Sequence, residues 1–404
     1  MTSVPSRALR PAADASPRPL AATEPGPRFD VAAMVADAVA VTGAPPHRDL
    51  AFLDALGVLA DALDGQANLT PAGRVAVRGA LVGALSTQLR LADAVARSPE
   101  ITSTPVDRPV FVTGLLRSGT TLVHNLLALH PDLRAPALWE LMNPVGERAD
   151  AEAYERLATA AQAYVEEYYR VAPDLPKIHF LDARRPDECH RLTGNTFTTM
   201  VYEMRYRVPA YAGWLAGQDH VPAYRFHRAQ LQAILWRRPG GPAVLKDPFH
   251  VWQLPALVSV YPDTRIVQMH RDPAVTVPST CSLCVAVRVA RTDAIDRAEI
   301  GRHWLGRVEA ALTALPAVRT ALAAKPVLDV RYTDLVADPM GTIGQICDFI
   351  GAPLTATAER AMRAYLEQNT ATTHGRHRYE AADFGLDEAD LRRRFADYRH
   401  QYGV

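Results

Sequence analysis

The chain has 404 residues, 48% of them hydrophobic, so it can bury a large core and is not globally disordered. Its 44 basic and 44 acidic side chains cancel, and without a basic block no nucleic-acid partner is expected. Four cysteines are too few for a disulfide scaffold and suit a reducing compartment, and no apolar run reaches the roughly 18 residues of a membrane span, so a cytoplasmic protein without a membrane span is expected.

Residues 1–28 read as a disordered tail: Pro5, Pro11, Pro17, Pro19, Pro25 and Pro27 interrupt regular structure, and there is no apolar signal region. Residues 29–107 read as a helical extension. Val31, Met34, Val35 and Ala38, then Leu53, Leu56, Leu59 and Leu63, then Val77, Leu81, Leu85 and Leu89 recur at helical spacing. These leucine-rich faces would pack on the main domain or serve a homodimer.

The main domain is expected over residues 108–404. It opens with a buried strand, Val110 to Val112, that ends at Gly114 in the turn Arg117-Ser118-Gly119-Thr120-Thr121. Leu122, Val123, Leu126 and Leu127 then follow at helical spacing. Strand, glycine turn and helix make a phosphate cradle, because the helix start points free N–H groups and the positive end of its dipole at an anion. Gly114 and Gly119 copy the glycine spacing of a nucleotide-triphosphate P-loop, but Thr120 stands where that motif needs lysine. The cation comes earlier, as Arg117, and nothing in the loop is arranged to hold magnesium, so no metal is expected.

Further on, Glu140 lies among apolar residues and is either a base or a paired structural carboxylate. The segment from Phe197 to Trp214, with Tyr202 and Tyr206, is the most aromatic in the chain and is a candidate wall for an acceptor, or plain core. Strands are expected at 243–246, 264–271 and 326–332, each followed by a helix, which favours a parallel sheet covered on both faces. Ligands in such sheets sit beyond the carboxyl ends of the strands, where Gly114, Lys246 and Arg271 all fall. Cys281 and Cys284 have no second pair nearby for zinc and read as buried thiols on a helix. The segment Gly375-Arg376-His377-Arg378-Tyr379 is basic and could fold over an anion.

The loop Gly-Leu-Leu-Arg-Ser-Gly-Thr-Thr resembles the phosphosulfate-binding loop of the sulfotransferases that use 3′-phosphoadenosine 5′-phosphosulfate (PAPS), in its bacterial branch. A second motif supports the resemblance: Arg271 ends a strand and Ser279 follows eight residues on, as in the family's 3′-phosphate site. Arg331-Tyr-Thr-Asp-Leu335, Phe349-Ile-Gly351 and the Arg376–Arg378 segment look like later landmarks of the same family. The resemblance implies an α/β fold, with a central parallel sheet, flanking helices and a P-loop-like donor loop, to which the N-terminal helices are added. It implies PAPS as donor and 3′-phosphoadenosine 5′-phosphate (PAP) as product. Donor contacts are then expected from Arg117, Ser118, Gly119, Thr120, Thr121, Leu122, Arg271, Ser279, Arg376, His377 and Arg378.

Animal members place a histidine base two residues after a lysine. Here the interval from Lys246 to His250 is four. On this reading His250 is the general base, while Lys246 and Arg117 stabilise the transferring group; Glu140, His124 and His190 are rival bases. The aromatic segment, through Phe197, Tyr202 and Tyr206, suggests a small, lipophilic or natural-product alcohol as acceptor. Two other readings stay open: a P-loop kinase or NTPase, and a non-catalytic nucleotide-binding protein on the same fold.

Overall fold

The computed structural model describes residues 26–43, 50–146, 148, 150–369 and 379–404. Four parallel strands form the sheet: β1 (Val110–Gly114), β2 (Val244–Lys246), β3 (Arg265–His270) and β4 (Val327–Arg331), in the spatial order β2-β1-β3-β4. All of β1 and β2 is buried. That explains why these strands read as short apolar runs rather than alternating ones: helices cover both faces of the sheet. Val110 and Val112 face one layer, with Val123, Leu126, Ile343 and Ile346. Phe111 faces the other, with Tyr224, Leu231, Leu257 and Tyr261.

The strand order reverses direction at β1. From β1 the chain goes out to β2 on one side and returns to β3 on the other. The crevice beyond the carboxyl ends of β1 and β3 is therefore the switch point where a ligand is expected. Gly114 and Arg271 border it.

Helices α1 (Val31–Thr42), α2 (Leu53–Gln66) and α3 (Pro71–Arg97) form the N-terminal part. Asp30 caps α1 and Thr70 caps α3 through their side chains, as short oxygen-bearing residues do at helix starts. Their apolar stripes do not form a separate core. Leu56, Leu63 and Leu85 belong to one hydrophobic cluster with Tyr211, Cys281 and Trp304 of the later helices. Cys281 and Cys284 are buried in the helix Pro273–Arg288, and burial pushes both thiols up from their ordinary values. The segment 197–214 is broken into the short helices Val201–Arg205 and Pro209–Leu215. Among the described residues no helix is long and apolar enough to cross a membrane.

Candidate active site

The loop after β1 is shaped by three positive backbone angles: Gly114 at φ 148°, Arg117 at 68° and Gly119 at 96°. Two of these positions need glycine. A Cβ on Gly119 would sit 2.7 Å from the Tyr332 ring, and one on Gly114 would collide with the Met269 carbonyl. Helix α4 (Thr120–Leu127) starts directly on Gly119, whose carbonyl takes the Leu122 amide, so the Thr120 and Thr121 amides at the helix start are left without intrahelical partners. The hydroxyl of Ser118 is buried and has no hydrogen-bond partner among the described residues. An orphaned donor inside a ring of amides fits an anion.

Two arginines converge on the loop. Arg271 donates to the Arg117 carbonyl at 2.8 Å and lies 4.0 Å from the centroid of the Tyr332 ring. Arg117 donates through Nε to Ser279 Oγ at 3.2 Å and through a terminal nitrogen to the Ile178 carbonyl at 2.9 Å. Burial lowers the Arg117 guanidinium from its ordinary value; Tyr379 partly opposes this and Arg271 adds to it. Two half-buried cations beside a hydroxyl make a place that a phosphate would relieve. Arg271 and Ser279, linked by sequence spacing, both contact Arg117, Arg271 at its carbonyl and Ser279 at its Nε.

From the loop a chain of polar contacts runs inward. Lys246 Nζ donates to Thr121 Oγ1 at 3.1 Å and is ion-paired with Glu188. Glu188 Oε2 lies 3.0 Å from His190 Nδ1. Burial alone would raise the Glu188 carboxyl, but the Lys246 ammonium, together with His190, holds it well below the usual carboxylate range. Burial brings His190 down to about 4, against the pull of Glu188, so its imidazole is neutral at pH 7. His179 lines the same cavity and is also lowered by burial.

Glu188, His190 and Asp247 present three ligand atoms within 4.8 Å of one another, the geometry a cation could use. Lys246 already supplies the positive charge at that point, and burial with the nearby Glu188 pushes Asp247 well up toward its neutral form. That donor set suits an internal ammonium better than a metal ion.

The cavity itself has a volume of about 490 Å³. It is lined at once by the loop (Arg117, Gly119 to Leu122), by Arg271 and Tyr332, by Glu188 and His190, and by an apolar wall that includes Leu175, Val201, Met204, Phe249, Leu283 and Val287. A second cleft of about 310 Å³ shares Arg117, Thr121, Leu122 and His179 with it and reaches Lys246.

Several residues proposed from the sequence lie elsewhere. His250 does not line the cavity. It is 2% exposed, takes a 2.6 Å hydrogen bond between Nδ1 and the Tyr224 hydroxyl, and packs edge-on against Phe111 behind the sheet. Burial, reinforced by His227, lowers it well below its ordinary value. Glu140 is fully buried between Arg134 and Arg238 and accepts from the Ala137 amide, which makes it a brace for its own helix start. His124 is buried against the Val244 carbonyl. Phe197, Tyr202 and Tyr206 point into the core, Tyr202 donating to the Gly194 carbonyl at 2.7 Å. Arg376, His377 and Arg378 lie outside the described residues. The site also contains residues to which the sequence reading assigned no role: Glu188, His179 and Tyr332.

Residues 109–356 match the model of the sulfotransferase family. The crystal structure of sulfotransferase STF1 from Mycobacterium tuberculosis superposes with a TM-score of 0.79 at 32% identity, covering 91% of this chain and 98% of that one. For sulfotransferase STF9 from Mycobacterium avium the TM-score is 0.81 at 25% identity, covering 92% and 96%. The omega-hydroxy-beta-dihydromenaquinone-9 sulfotransferase Stf3 of Mycobacterium bovis is 25% identical over 270 residues, which are 61% of this chain and 63%, under two thirds, of that relative. With the loop, the paired arginines and these likenesses together, the chain belongs to the sulfotransferase family.

Proposed function

We propose that this enzyme transfers a sulfuryl group from PAPS to a hydroxyl of a small lipophilic acceptor. The observation that carries the reading is that one cavity is lined by the glycine loop after β1, by an apolar wall, and by Glu188 and His190. The Mycobacterium bovis relative, whose name gives it a hydroxylated menaquinone derivative, supports a lipophilic acceptor.

The loop from Arg117 to Leu122 would hold the 5′-phosphosulfate, and Arg271 with Ser279 the 3′-phosphate. Tyr332 holds the Arg271 guanidinium over its ring. Arg376, His377 and Arg378 would complete the donor site. The acceptor oxygen attacks sulfur in line with the leaving phosphate; an O–S bond forms, the S–O bond to the 5′-phosphate breaks, and PAP departs. The proton of the acceptor hydroxyl passes to a base. His190 takes that role in place of His250, because it lines the cavity as a neutral imidazole, with Glu188 beside Nδ1 to fix the ring. Lys246 and Arg117 stabilise charge on the transferring group and the leaving phosphate. No step calls for a metal ion.

Incubation of the full chain with PAPS and a panel of hydroxylated lipophilic alcohols, read by mass spectrometry, should show products heavier by one SO₃ unit together with stoichiometric PAP. PAPS binding without transfer to any panel member would favour the non-catalytic reading instead.

A further inference from the structure

The cavity wall carries a cation that the transfer chemistry leaves idle. Three arginines, Arg191, Arg205 and Arg291, act together on Tyr164: burial raises its phenol, yet their combined field holds it below its ordinary value. Two of the three are committed elsewhere. Arg191 pairs with Asp187, Nε to Oδ2 at 2.8 Å. Arg291 donates to the Val287 carbonyl at 3.1 Å and the Tyr168 hydroxyl at 3.3 Å.

Arg205 is different. It ends the helix Val201–Arg205, lines the cavity, and is only partly exposed. Among the described residues its guanidinium has neither a hydrogen bond nor an ion pair. Two acids of the preceding segment are spoken for, Asp187 by Arg191 and Glu188 by Lys246. An unpaired, half-buried guanidinium beside Val201, Met204 and Val287 loses hydration and gains nothing in return from a neutral hydrocarbon.

We propose that Arg205 binds a carboxylate carried by the acceptor at a distance from the hydroxyl that is sulfated, so that the acceptor class is a hydroxylated amphipathic acid. This rests on the sulfotransfer reading of the cavity. The guanidinium fork matches the two carboxylate oxygens, and the apolar wall takes the carbon skeleton between acid and hydroxyl.

The test uses 12-hydroxydodecanoic acid and its methyl ester, titrated calorimetrically into the PAP-saturated full chain, with sulfation by PAPS followed in parallel. The wild type should bind the acid at least tenfold more tightly than the ester, and the difference in transfer should fall in KM rather than kcat. Arg205→Ala should reduce acid affinity to the level of the ester, and Arg205→Lys should retain part of the preference. PAP affinity should stay within twofold in both variants. Equal binding of acid and ester by the wild type, binding of neither, or equal losses for both in Arg205→Ala would overturn the assignment. A loss of PAP affinity in Arg205→Ala would also overturn it, by placing the residue on the donor. Failure of the wild type to bind PAP at all would sink the sulfotransfer reading itself, whereas PAP binding without acid preference would sink only this inference.

Discussion

At the scale of single residues, the two histidines His190 and His250 separate chemistry from packing. His190→Ala should lower kcat by about a hundredfold or more with PAP affinity retained, the usual weight of a general base. His250→Ala should instead lower the melting temperature, because it empties a buried position among Phe111, Tyr224 and His227 and strands the Tyr224 hydroxyl. Near-normal turnover in His190→Ala would remove it as the base. The spacing from Lys246 suggested His250, but Pro248–Trp252 is a 3-10 turn. Successive side chains there splay by about 120°, so Phe249 meets the cavity while His250 returns to the core. Glu188 was illegible for another reason. It reaches Lys246 across 58 residues, with no local spacing to announce the pair. Arg117 and Thr121 could be placed at the cavity from the sequence, because a glycine turn fixes where its adjacent residues fall. Gly119→Ala should weaken PAP binding at least tenfold, since the new Cβ meets the Tyr332 ring at a left-handed angle; unchanged binding would show that the loop tolerates both insults.

At the scale of elements, the helix Val201–Arg205 shows how one short turn serves both core and cavity. Val201, Met204 and Arg205 line the cavity, while Tyr202 turns back beneath Gly194. The aromatic content of the segment thus marked a stretch that borders the cavity, though through Val201, Met204 and Arg205 rather than through Phe197, Tyr202 and Tyr206. Aromatic residues signal burial whether the buried face meets protein or ligand. Met204→Trp should fill part of the chamber and reduce affinity for a lipophilic acceptor at least tenfold, leaving PAP binding intact; parallel titrations of 12-hydroxydodecanoic acid and PAP check this. Loss of PAP binding in that variant would mean that the two ends of the cavity are not independent. The four strands were readable because fully buried parallel strands are short apolar runs between turn residues. The helix Ala356–Gln368 was not, because only Ala358 and Met362 are buried, with Tyr365 and Leu366 packed partly exposed against the same cluster, so its apolar stripe is thin.

At the scale of the whole molecule, several histidines are buried in neutral form. Burial holds His124 and His227 at about 3 and His190 at about 4. Each lies below the value of about 6.5 expected in the unfolded chain. The unfolded state therefore binds these protons first as pH falls, so the stability they permit is complete above about pH 6.5 and is lost toward pH 3–4. Glu188, held below its usual range, acts in the same direction at the acid end of that window. The melting temperature should drop by roughly 5–10 °C between pH 7 and 5, and His227→Phe should make the decline shallower. A melting temperature flat to pH 5 would contradict the neutral burial of these rings. The shared core of α1–α3 with the later helices was beyond the sequence, because an apolar stripe shows that a helix packs without showing on what.

The central claim is that the loop after β1, with Arg271, holds a nucleotide bearing a separate 3′-phosphate. Calorimetric titration with PAP, AMP and ATP plus magnesium tests it most directly. The account predicts tight binding of PAP, weaker binding of AMP, and a loss in Arg271→Ala that is much larger for PAP than for AMP. Preference for ATP with magnesium, or equal losses for PAP and AMP in Arg271→Ala, would contradict it and return the loop to phosphoryl transfer.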